Sequence, residues 1–130
     1  MSNTYSVFQD FVSDALFRNK SILDIITKLS EQTSLLNRAI SKSVTHCGCV
    51  KINAKKQCFD IQKTMDENKD CLDDHINGYL CPRCKDKIEE EIGDLMFYLA
   101  SLCETLDINL ESVIEHKTDF LKTFGKYSLL

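Results

Sequence analysis

Residues 81–106 read CPRCKDKIEEEIGDLMFYLASLCETL, and this stretch decides the fold. Within it Ile88, Ile92, Leu95, Leu99, Leu102 and Leu106 recur at spacings of 4, 3, 4, 3 and 4. An uninterrupted stripe of that period is one face of an amphipathic α-helix, expected to start at Lys85 or Asp86. At its head stands Cys81-Pro82-Arg83-Cys84, and well upstream lies a second pair, Cys47-Gly48-Cys49. Two close cysteine pairs are the usual way one chain supplies four thiolates to a tetrahedral metal. Pro82 stiffens one turn, and Gly48 lets the other fold so that both thiols face one point. The pattern predicts a structural zinc held by Cys47, Cys49, Cys81 and Cys84.

Outward from that clip the chain reads as helices. Val7, Phe8, Phe11, Val12, Ala15 and Leu16 mark an amphipathic helix between Tyr5 and Phe17. Ser21 is a plausible N-cap for a second helix, whose stripe runs through Ile22, Ile25, Ile26, Leu29, Leu36, Ile40 and Val44. Beyond the helix of residues 85–106, Asp107 or Asn109 caps a last one through Leu110, Val113, Ile114, Phe120 and Phe124, stopped by Gly125. Lys126 to Leu130 form a tail. Between the second and third helices, from about residue 45 to residue 84, lies a cysteine-rich insertion. Val50 to Gln57 suit a short strand or helical extension, Asp60 to Asp74 a mobile or partly helical loop, and Asn77-Gly78 a turn. The expectation is a single all-α domain over residues 1–130, a four-helix bundle with a metal-clipped insertion.

Composition bounds the function. The 130 residues carry net charge −4 with a pI near 5.3, which argues against a general nucleic-acid partner. No apolar run is long enough to span a membrane, and Met1 to Asp10 lack a signal-peptide core. Seven cysteines in such a chain read as cytoplasmic thiols and metal ligands, not a disulfide framework. Cys58 and Cys71 are leftover thiols, and Cys103 suits a small buried hydrophobe on the third helix. His46 and His75 stand near the cysteine pairs, but four thiols make them unnecessary as ligands.

On a helical wheel Glu91, Asp94 and Tyr98 form a stripe flanking the third helix's core face. Two carboxylates at i and i+3 beside a bundle core suit a hard divalent cation such as Mg²⁺; a solvated acidic first turn is the structural alternative.

The segment Glu90-Glu91-Ile92-Gly93-Asp94-Leu95-Met96-Phe97-Tyr98-Leu99, followed by Leu106-Asp107-Ile108-Asn109-Leu110-Glu111, resembles the second half of a MazG-like domain. Those are all-α nucleoside triphosphate pyrophosphohydrolases. The resemblance implies a bundle that holds Mg²⁺ through an E-x-x-E on one helix and an E-x-x-D on another, the latter falling on Glu91 and Asp94. It also implies pairing of two chains through helices. Lys117 falls roughly where the family places a phosphate contact, and Gln32 and Tyr98 are the further candidates for touching a nucleotide. The first metal helix departs from the pattern: Gln32 and Leu35 stand where its two carboxylates belong, and Glu31 points away toward solvent. Leucine cannot ligate magnesium, and a neutral amide oxygen is a poor substitute for a carboxylate.

Three functions follow as expectations. Foremost is a zinc-clipped nucleotide-binding or regulatory module with a degenerate catalytic site. Behind it stand an active Mg²⁺-dependent pyrophosphohydrolase, and then a cysteine-based redox or iron–sulfur sensor. A homodimer is expected because Met96, Phe97 and Ala100 lie off the third helix's core stripe and want a partner.

Overall fold

The computed structural model describes residues 3–125, so the tail from Lys126 lies outside the described residues. Five α-helices dominate: α1 (Thr4–Ala15), α2 (Ile22–Lys42), α3 (Met65–Cys71), α4 (Pro82–Thr105) and α5 (Leu110–Phe124). A π-helical turn (Ser43–Cys47) extends α2, and strands β1 (Val50–Ile52) and β2 (Ile76–Gly78) pair antiparallel, Val50 opposite Gly78 and Ile52 opposite Ile76. No helix among the described residues is long and apolar enough to cross a membrane.

Local chemistry sets the helix ends. The Ser21 hydroxyl accepts from the Leu23 N–H, and the Asn109 side chain accepts from the Ser112 N–H, so Asn109 and not Asp107 caps α5. Asp107 instead takes a left-handed φ of 57° in the turn that ends α4. Helix α4 begins at Pro82, three or four residues earlier than the expected start at Lys85 or Asp86. Cys81 is its N-cap, with the sulfur accepting from the Cys84 N–H at 3.4 Å, and Pro82 occupies the first helical turn, where no N–H is needed.

Helix α2 packs antiparallel along α4, while α1 lies against α4 and α5. The core is Val12, Ala100 and Leu110, with Phe8, Phe97, Cys103 and Ile114 packed onto it. This corrects the expected helix face. Ala100 is fully buried and Phe97 is part of the core, because α1 and α5 cover that side of α4. Ile92 and Leu106, assigned to the core stripe, are instead about half exposed, at 45% and 52%. Gln9 fastens α1 to the α4–α5 turn: its amide donates to the Ile108 carbonyl at 2.9 Å, and its oxygen accepts from the Leu110 N–H at 2.8 Å. A buried side-chain amide that meets main-chain groups on both ends fixes register as well as distance.

The insertion is ordered more than its charge suggests. Thr64 and Glu67 form a reciprocal capping box at the start of α3. Buried Asn68 donates to the carbonyls of Asp60 and Thr64 and accepts from the Asp60 N–H at 2.8 Å. Gln57 exchanges two hydrogen bonds with the backbone of Asp73. Cys58 and Cys71, read as free thiols, are joined in a disulfide with Cα atoms 6.0 Å apart. Spacing could not show this, since it is the Asn68-centred loop that returns α3 to residue 58.

Candidate functional site

Two short turns bring the cysteine pairs together. The π-helical turn ends at Gly48, which adopts φ 79° and donates its N–H to the Ser43 carbonyl at 2.9 Å. A left-handed residue there reverses the chain between Cys47 and Cys49, and glycine adopts it without a Cβ clash. Buried Ser43 anchors the turn by donating its hydroxyl to the Ile40 carbonyl at 2.6 Å. Strand β2 then lies against this turn so closely that a Cβ on Gly78 would sit 2.6 Å from the Cys49 carbonyl oxygen. That contact delivers Cys81 and Cys84, three and six residues further on.

The four sulfurs of Cys47, Cys49, Cys81 and Cys84 all lie within 4.8 Å of one another, and the Cys47–Cys81 separation is 3.8 Å. Four ligands at about 2.3 Å around a tetrahedral zinc stand about 3.8 Å apart, so this donor set fits one metal ion with little adjustment. Among the described residues no other group of three or more metal-ligating side chains converges in this way. His46 and His75 stay outside the cluster. The Cys84 N–H hydrogen bond is the main cause that lowers the Cys81 thiol to about 7. The hydrogen bond to Cys81 pushes the Cys84 thiol up to about 12.

The expected magnesium face takes a different form. Gln32 and Glu91 are both buried and meet across α2 and α4. The Gln32 amide nitrogen donates to Glu91 Oε1 at 3.0 Å and to the Glu91 main-chain carbonyl at 3.1 Å. Lys87 Nζ lies 3.7 Å from the other carboxylate oxygen. Both oxygens of Glu91 thus have protein partners. Asp94 is exposed and makes no side-chain hydrogen bond or ion pair among the described residues. Tyr98 packs edge-on to Phe97 with ring centroids 5.2 Å apart, and Lys117 lies over its own helix neighbour Phe120. The structure therefore joins Gln32 to Glu91, and among the described residues no hydrogen bond or ion pair ties Asp94, Tyr98 or Lys117 to them.

Between the two sites lies a cavity of about 490 Å³, walled by α2 and α4 and reaching from Glu91 to Cys47 and Cys84. Leu35 and Ala39 form part of its wall, and Arg38, Lys42, Arg83 and Lys87 line it. This basic set was missed in the sequence. Its signal is two i, i+4 pairs, Arg38 with Lys42 and Arg83 with Lys87, which the packing of α2 on α4 brings to one cleft while all four stay exposed.

No family model, curated protein or solved structure matches this chain.

Proposed function

We propose that this protein is a zinc-clipped, MazG-like helical module that binds a nucleotide or regulates a partner without hydrolysing nucleoside triphosphates. The observation that carries the reading is the Gln32–Glu91–Lys87 cluster. A pyrophosphohydrolase of this kind needs several carboxylates to hold Mg²⁺ on the phosphates and to prepare a water. Here the single buried carboxylate faces an amide and an ammonium, the amide standing where the family resemblance puts an acid. A hard cation would have to displace an ammonium and an amide N–H, both of which repel it. Zinc at the four cysteines is the resident metal in this reading. It joins the end of α2 to the start of α4 and so holds Gln32 against Glu91. When bound it supplies folding free energy, not turnover, because four thiolates leave no open coordination position.

The test is a magnesium-dependent hydrolysis screen over the common nucleoside triphosphates on zinc-loaded protein. No release of pyrophosphate above background is expected. Turnover abolished by Asp94→Asn would overturn the reading and restore the enzyme.

A further inference from the structure

We infer that Cys58 and Cys71 form a reversible two-electron redox site, opened by thiol reductants and closed again without disturbing the metal cluster. The inference goes beyond the nucleotide-binding reading and does not rest on it.

The chain sorts its sulfurs into two sets. Cys47, Cys49, Cys81 and Cys84 converge on one metal position, while Cys58 and Cys71 stand outside that group as a disulfide with Cα atoms 6.0 Å apart. The two sets make opposite demands. Thiolate ligands must stay reduced to hold zinc, whereas the pair in the insertion is oxidised. Thiols that keep the first set reduced also exchange with any disulfide they can reach. Cys58 is exposed and Cys71 only partly covered, so this one is within reach.

A permanent staple is the rival reading, and the surroundings of the pair argue against it. The bond joins residues at a sequence separation of 13, and a short loop gains less from a cross-link than a long one. That loop is already closed by other means. Gln57, next to Cys58, exchanges hydrogen bonds with the backbone of Asp73, just past Cys71. Buried Asn68 holds the Asp60 main chain and the Thr64 carbonyl from inside the loop. The capping box of Thr64 and Glu67 starts α3, whose last residue is Cys71. These contacts keep the two thiols side by side after reduction, so the bond re-forms within one chain as a unimolecular step. The core around Val12, Ala100 and Leu110 is drawn from other elements, and opening the bond leaves it intact.

The exchange balances. The thiolate of a reductant attacks the exposed Cys58 sulfur, the S–S bond breaks, and Cys71 departs with the electron pair and takes up a proton. A second reductant thiol then displaces Cys58 from the mixed disulfide. Two electrons and two protons pass to the protein, and the reductant leaves as its own disulfide.

The experiment equilibrates the zinc-loaded full chain, without denaturant, in stepped ratios of glutathione to glutathione disulfide, approached from both directions. Acid quenching, alkylation and peptide mass mapping give the redox state of each cysteine, and elemental analysis gives the zinc. The pair should pass from disulfide to dithiol and back along one curve, with one zinc retained throughout. Gln57→Ala and Asn68→Ala should each shift the balance toward the dithiol about tenfold, the worth of about one hydrogen bond. Cys71→Ser should leave Cys58 capped by glutathione. A pair that stays oxidised in a large excess of glutathione would be a permanent staple and would overturn the inference. A pair that stays reduced in excess glutathione disulfide would overturn it equally. Loss of zinc over the range in which the pair titrates would assign the redox change to the metal cluster and sink the inference. Unshifted balances in both the Gln57 and the Asn68 variants would remove the preset geometry on which it stands.

Discussion

The Gln32 side-chain amide grips Glu91 twice, at its carboxylate and at its main-chain carbonyl, with both residues over nine-tenths buried. This one residue pair ties α2 to α4 in a single register. Gln32→Ala leaves the Glu91 carboxylate with Lys87 alone. It should destabilise the fold by about 1–3 kcal/mol, the cost of a buried acceptor without its donor, read as a lower urea midpoint.

The complementary change rebuilds what the resemblance implies. Gln32→Glu with Leu35→Glu sets two carboxylates opposite Glu91. The double variant should be less stable than wild type without a divalent ion, because a Glu at position 32 faces Glu91 where both are buried, while position 35 is more exposed. Magnesium at millimolar levels should raise its melting temperature and leave the wild type unmoved, as thermal unfolding with and without the ion will show.

Zinc should be present at one ion per chain and should depend on all four thiols. Cys84→Ser should lose the metal together with much of the cooperative unfolding transition, since structural zinc contributes directly to folding. Elemental analysis beside a melting curve checks both. Cys58→Ser with Cys71→Ser should keep full zinc, because that pair forms a separate disulfide in the insertion.

In the metal-free, reduced protein the two cysteines of the second pair should differ sharply in reactivity. Thiolate is the reactive form, so alkylation of Cys81 should rise as pH passes through about 7, while Cys84, pushed up to about 12, should stay unmodified over the same range. Mass mapping of iodoacetamide adducts against pH reports this directly. Zinc loading should suppress both.

Apolar side chains remain on the outer surfaces of the helices: Phe11 is 69% exposed and Leu23 69%, while Ile26, Ile40 and Ile92 are each 45–46% exposed. Since Phe97 and Ala100 are covered within the chain, these residues are the ones a second copy would bury. Light scattering at tens of micromolar should return twice the 14.9 kDa chain mass, and Ile92→Lys should shift it toward the monomer.

The period of the apolar residues determined four of the helices by itself, and the two cysteine pairs determined which four sulfurs converge. Both are local signals: a 3.6-residue repeat and a short thiol spacing carry their geometry within one turn of chain. Which face of α4 is covered was not local. Phe97 and Ala100 lie off the longest leucine stripe, and only the arrival of α1 and α5 decides that they are core. Gln32 and Leu35 were readable as departures from a metal-binding pattern, but the amide's grip on Glu91 required α2 and α4 at contact distance. The basic cavity is the clearest case. Arg38, Lys42, Arg83 and Lys87 are ordinary helix-surface residues in the sequence, and they line one cleft, all four still exposed, only because α2 packs antiparallel on α4.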